Sequence, residues 1–163
     1  MLRISKLTDY ATVILARLAA RPDQRFTAAQ LAADTRVASP TVSKLLKQLQ
    51  RRDLVHSTRG LYGGYLLARP ASQITAAQIL DALEGPVALT ECASSESHCC
   101  IETTCLVSRA WQRVNLAVHR SLQEITLTEL AGLAAAQVTS APERIIAAPM
   151  ALAAARGAKR EPA

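Results

Sequence analysis

Four thiols crowd one short stretch of this chain: Cys92, Cys99, Cys100 and Cys105, spaced C-x6-C-C-x4-C. A thiolate is both the ligand of soft metals and the nucleophile of thiol–disulfide exchange, so chemistry would sit here. Zinc sites typically use C-x2-C pairs that close a tight tetrahedron, and this stretch has none. Wider spacing on a flexible loop suits a larger object such as an iron–sulfur cluster, whose irons lie further apart. A thiol–disulfide switch stays open on spacing alone. Four inert thiols on one polar loop are the bland reading. Cys99 and Cys100 are adjacent and point in different directions on most backbones, so one ligates while the other is a bystander or an alternative ligand.

No catalytic constellation accompanies the thiols. Ser, His and Asp do not form a recognisable nucleophile elbow, and no glycine-rich phosphate cradle precedes a helix. His56, His98 and His119 lie apart, and His56 and His119 read as strand-face and surface residues. An enzyme is not expected.

Charge is the second signal. The chain has 163 residues and a net charge of +6. Residues 1–70 hold twelve Lys+Arg against four Asp+Glu, while 71–163 hold seven against nine. A front half at +8 and a rear half at −2 suggest that the front meets a polyanion, most simply nucleic acid. A solvated basic surface is the plain alternative. Half the residues are apolar, which supports a folded core. No stretch approaches the ~20 uncharged apolar residues of a membrane span. Residues 1–6 lack an apolar signal region and a cleavage site, so a cytoplasmic protein without membrane contact is expected.

The elements that would position these residues follow from periodicity and caps. Leu7, Tyr10, Ala11, Ile14 and Leu18 form an apolar stripe over a helix at 7–20, stopped by Arg21-Pro22-Asp23. Thr27 and Gln30 have capping-box spacing, with Phe26 and Leu31 as a staple, for a helix to about residue 34. It buries Leu31, Ala28 and Ala32. Ser39 is placed to cap a third helix with Pro40 at its first position. That helix buries Val42, Leu45, Leu46 and Leu49 and leaves Thr41, Ser43, Lys44, Lys47 and Gln48 on other faces. Helix, short turn and basic helix make the helix-turn-helix pattern, which a plain helical bundle also mimics.

A β-prone run at 54–59, a Gly60-Leu61-Tyr62-Gly63-Gly64 turn and a second run at 65–69 make a hairpin wing. Arg59 stands at its mouth, placed to enter a minor groove. Thr75 and Gln78 repeat the capping signature with Ile74 and Ile79 as the staple, for a helix that ends before Gly85-Pro86. A loop covers 86–104. A long helix over 105–125 carries Val107, Trp111, Val114, Val118, Leu122 and Ile125 at near-heptad spacing, for which a second copy of the chain is the simplest cover. A short helix follows Thr126, with Glu129 in capping position. The fold class is therefore mainly α with a small β-hairpin wing. Its parts are a winged helix-turn-helix head at 1–85, a cysteine-rich loop at 86–104, a dimerisation helix and short helix at 105–133, and an Ala-rich tail at 134–163, read as mobile.

In one order stand Leu7-Thr8-Asp9-Tyr10-Ala11, Ser39-Pro40-Thr41-Val42-Ser43-Lys44-Leu45-Leu46, Ser57-Thr58-Arg59-Gly60 with Gly63-Gly64-Tyr65, and Cys92, Cys99 and Cys105. This resembles the Rrf-type iron–sulfur transcriptional regulators, the IscR and NsrR kind, over roughly residues 1–133. The opening residues 1–10 and the run Ala82-Leu83-Glu84-Gly85-Pro86 look closest to regulators of SUF iron–sulfur assembly operons. The resemblance implies a winged-helix homodimer on a palindromic double-stranded operator, acting as a repressor or other regulator. It implies a two-iron or four-iron cluster on Cys92, Cys99 and Cys105. Where IscR-like members carry a fourth-ligand histidine, this chain has Ser108. NsrR-like members use an aspartate near the start of the first helix, reaching across the dimer. That position is Asp9 here, with Cys100 and His98 as alternatives. The resemblance further implies DNA contacts from Ser39, Pro40, Thr41, Ser43 and Lys44 to bases and phosphates, from Lys47 and Arg51 to phosphates, and from Arg59 with Gly63 and Gly64 in the minor groove. The rival expectation is a thiol-redox or zinc-binding winged-helix interaction module without a cluster.

Overall fold

The computed structural model describes residues 4–90, 105 and 107–133. Three helices open the chain: α1 (Lys6–Ala19), α2 (Ala28–Thr35) and α3 (Ser39–Arg51). The hairpin β1 (Val55–Thr58) and β2 (Gly64–Leu67) follows, then a 3-10 turn (Ala71–Gln73), α4 (Ala76–Leu83), α5 (Ser108–Glu124) and α6 (Leu127–Leu130). The expected class, mainly helical with a two-stranded antiparallel wing, is the class observed.

The capping boxes set the helix starts. Thr27 with Gln30, Thr75 with Gln78 and Thr126 with Glu129 each exchange both side-chain-to-backbone bonds. Each box satisfies two N–H groups that a helix start leaves without an intrahelical partner. The expected cap of α3 is corrected: Ala38, not Ser39, is the N-cap, and it makes no side-chain bond. Ser39 is already helical, so Pro40 falls in the first turn, where its missing N–H costs nothing.

The stripe of α1 is also corrected. Ala11, Ile14, Leu15 and Leu18 are buried, but Leu7 and Tyr10 are exposed and share an outward face with Val13. Thr8, not Leu7, takes the inward position of the first turn, because its hydroxyl has a polar partner there, the Glu84 carboxylate.

One core joins the head to the last helix. Ile14, Leu15, Leu31, Leu45, Leu46, Leu49, Leu54 and Ile74 pack with Leu127 of α6, which is fully buried. The return of α6 is pinned by backbone bonds from Ala76 N–H to Ile125 (2.9 Å) and from Leu127 N–H to Ile74 (2.7 Å). Between α4 and α6, α5 leaves Val107, Trp111, Val114 and Ile125 exposed, with Val118 and Leu122 half-buried. The helix begins at Ser108 rather than at Cys105.

Candidate nucleic-acid interface and cluster-binding region

Helix α3 divides its residues by periodicity. Val42, Leu45, Leu46 and Leu49 face the core at 0 % exposure. Their 3.6-residue spacing turns Ser39, Pro40, Lys44, Lys47 and Arg51 to solvent, with Thr41 and Ser43 half-buried at the margin. The preceding turn closes through Arg36, whose φ of 56° is left-handed, and through Val37, which is buried. Among the described residues Lys44, Lys47, Arg51 and Arg59 hold no ion pair, whereas Arg17 is engaged with Asp34 at 2.7 Å. Free cations on an exposed helix flanked by a hairpin match what a DNA groove and its phosphates require.

The wing stands on the hairpin register Val55–Leu67 to Thr58–Gly64. It is fixed to the body by a bridge that the sequence did not announce. Phe26 N–H donates to Tyr65 C=O (3.1 Å), and Tyr65 N–H donates to Phe26 C=O (2.8 Å). Two glycines are required by space. A Cβ on Gly63 would lie 2.4 Å from the Thr58 carbonyl oxygen, and one on Gly64 would lie 2.9 Å from that of Phe26. Arg59 is exposed directly after β1. The Arg17 guanidinium lies 4.6 Å over the Phe26 ring, so the same phenylalanine carries the wing bridge and a cation–π contact to α1.

The region of the thiols is described in part. Cys92, Cys99, Cys100 and His98 lie outside the described residues, as does the tail beyond residue 133. Cys105 is a half-buried free thiol. Ser108 is buried at the first position of α5. Asp9 is exposed in the first turn of α1 and lines an open cleft of about 560 Å³ with Ile4, Ser5 and Lys6. Among the described residues no group of three or more His, Cys, Asp or Glu is placed to hold a metal.

A link missed by sequence reasoning ties this cleft to the root of the cysteine loop. The Glu84 carboxylate, at the end of α4, accepts from Ser5 N–H (3.0 Å) and from the Thr8 hydroxyl. Ser5 itself caps α1 by accepting from Thr8 N–H at 3.2 Å. The Thr8 hydroxyl first, then the Ser5 N–H, holds the Glu84 carboxyl below the usual carboxylate range. Gly85 follows at φ +83°, beyond the end of the helix, where glycine was expected. Further along, Leu89 N–H donates to Asn115 Oδ1 of α5 (3.1 Å), so the described start of the loop runs from the Asp9 turn to the middle of α5. A Ser-x-x-Thr cap at residues 5–8 was the available signal, but its long-range partner was not readable.

Fold, exposed reading helix and glycine-built wing together define a winged-helix DNA-binding transcriptional regulator. Residues 4–132 match the family described as "Rrf2: Iron-dependent Transcriptional regulator", and the chain belongs to that family. It is 29 % identical over 131 residues to the HTH-type transcriptional regulator NsrR of Oceanobacillus iheyensis, covering 79 % of this chain and 89 % of that one. It is 34 % identical over 89 residues to the HTH-type transcriptional regulator IscR of Sodalis glossinidius, covering 55 % of this chain and 53 % of the relative. Among solved structures it is similar to CymR, the global cysteine regulator of B. subtilis, with a TM-score of 0.64 and 28 % identity over 82 % of this chain and 98 % of that one. These relatives are transcriptional regulators, not enzymes. They differ in signal: the family description names iron, whereas CymR is described as a cysteine regulator. Among the described residues no helix is long and apolar enough to cross a membrane.

Proposed function

We propose that the chain is a cytoplasmic, homodimeric regulator that binds a palindromic operator and answers to iron–sulfur status or oxidative stress, repressing or otherwise controlling SUF-type cluster-assembly genes. The observation that carries the reading is the Glu84 link, which ties the root of the cysteine loop to the α1 turn bearing Asp9. Three thiolates and one carboxylate form a donor set suited to an iron–sulfur cluster. Cys92, Cys99 and Cys105 would hold a two-iron or four-iron cluster with Asp9, Cys100 and His98 being the alternatives to Asp9. When bound, such a cluster supplies an oxidisable and releasable centre.

The chain's own residues translate that state into DNA fit. Glu84 holds the loop root against α1, and α1 packs on α2, α3 and α4, so a change in the loop pulls on the helix that supports the reading helix. Ser39, Pro40, Thr41, Ser43 and Lys44 would meet base edges and phosphates. Lys47 and Arg51 would meet phosphates, and Arg59 with the Gly63-Gly64 wing would meet the minor groove. The exposed apolar residues of α5, with Leu7, Tyr10 and Val13 of α1, would be covered by a second copy. The head at 1–85, the loop at 86–104, the dimer segment at 105–133 and the tail at 134–163 are the corresponding working parts.

The likeness to CymR favours one other reading, a thiol-redox or zinc-binding winged-helix module without a cluster. Anaerobic purification separates the two. A brown protein with bound iron and acid-labile sulfide supports the cluster reading. Bound zinc, or a colourless protein with an intramolecular disulfide, supports the other.

A further inference from the structure

The two most exposed large apolar side chains among the described residues sit together at the tip of the wing. Leu61 is 92 % exposed and Tyr62 is 84 % exposed. A lone exposed leucine is ordinary on a soluble protein, so exposure by itself says little. Placement says more. The tip is closed by Gly63 N–H donating to Gly60 C=O (2.9 Å) and crowded by the backbone around Gly63. Close behind the turn, one pair before the closing Thr58–Gly64 pair, the hairpin is fastened to the body by the Phe26–Tyr65 bridge. Arg59, exposed and without an ion pair among the described residues, stands two residues before Leu61. The hairpin is thus a braced finger, cationic at its neck and apolar at its tip. A DNA minor groove has the matching order, an anionic phosphate rim and walls of apolar deoxyribose faces. A patch of two side chains is too small for a stable protein interface.

We propose that Leu61 and Tyr62 act as an apolar wedge that enters the minor groove beside the half-site read by α3 and bends the duplex there. Sequence is then also selected by deformability, at base pairs that α3 does not touch. The proposal rests on the DNA-binding reading above.

The test uses the full chain and a duplex enriched by it from a randomised pool, with a fluorescent dye at each end. Affinity is read by anisotropy and bending by energy transfer. Leu61→Ser/Tyr62→Ser is expected to weaken binding at least about tenfold, roughly 1.4 kcal/mol, with lower energy transfer. Its salt dependence stays that of the unaltered chain, because no phosphate contact is lost. Tyr62→Phe is expected to keep both affinity and bend, since the wedge needs the ring and not the hydroxyl. Binding of the double variant within twofold of the unaltered chain, or unchanged energy transfer, overturns the wedge. So does a change in the oligomeric mass of the double variant, which would place the tip in a contact between copies. Lys47→Ala, run alongside, keeps the two claims apart. If it weakens binding while the double variant does not, DNA recognition stands and the wedge falls. If the pool yields no retained duplex, DNA recognition itself falls.

Discussion

Replacing Lys47 by alanine tests DNA recognition and dimerisation in one experiment. Lys47 is exposed on α3 and has no ion pair among the described residues, so its loss should leave folding stability within about 0.5 kcal/mol. Its expected partner is a phosphate, and each neutralised phosphate contributes about −0.9 to the slope of log K against log salt. A homodimer on a two-fold operator loses two such contacts, so the slope should become shallower by about 1.8. Between about 50 and 200 mM salt, that difference shrinks the advantage of the unaltered chain about 12-fold; one chain per duplex would shrink it only about 3.5-fold. The assay is anisotropy titration of a selected duplex across that salt range. Equal slopes for Lys47→Ala and the unaltered chain would refute the phosphate contact. A change near 0.9 would refute the dimer on DNA while leaving the contact in place.

Gly63→Ala drives a methyl group to 2.4 Å from the Thr58 carbonyl oxygen, which forces the wing turn open. Specific DNA affinity should drop by about tenfold or more, and an unchanged titration would contradict this. Leu127→Ala removes a fully buried side chain that anchors α6 in the core, at an expected cost of about 2–5 kcal/mol in denaturant unfolding; a loss below about 1 kcal/mol would show that α6 is dispensable to the head. Glu84→Gln should flatten the acid side of the stability curve. The folded-state pKa of Glu84 lies below 4.5, so its link stabilises the fold fully above that ordinary value and fades as pH falls through the lower folded-state value. Because the carboxylate is exposed, the effect should stay below about 1 kcal/mol. An unfolding curve with the same acid slope in both proteins would contradict it.

Local chemistry was legible where the determinants are local. The three capping boxes and the stripe Val42, Leu45, Leu46 and Leu49 depend on residues close in sequence, and each formed as spaced. The wing turn formed too, but Gly64, expected in it, is the first residue of β2 and pairs with Thr58, so the strands are Val55–Thr58 and Gly64–Leu67 rather than 54–59 and 65–69. What depended on distant partners was not legible. Thr8 displaced Leu7 from the inward face because of Glu84, 76 residues away. Leu127 joined the core because Ile74 and Ala76 bind the backbone around it. Phe26 was read as a helix staple but also pairs with Tyr65, since a single-residue bridge has no period to detect. For the candidate site, periodicity separated the outward residues of α3 from its core residues. Asp9 and Arg59 are both exposed. The tie between the Asp9 turn and the loop root needed three dimensions.

The iron and acid-labile sulfide content of the full chain purified without oxygen decides whether a cluster is bound. A brown protein carrying both is expected. Cys92→Ala, Cys99→Ala and Cys105→Ala should each lose colour, iron and sulfide, while Cys100→Ala keeps them. A colourless unaltered chain that binds neither iron nor sulfide, even after anaerobic reconstitution, would contradict cluster binding.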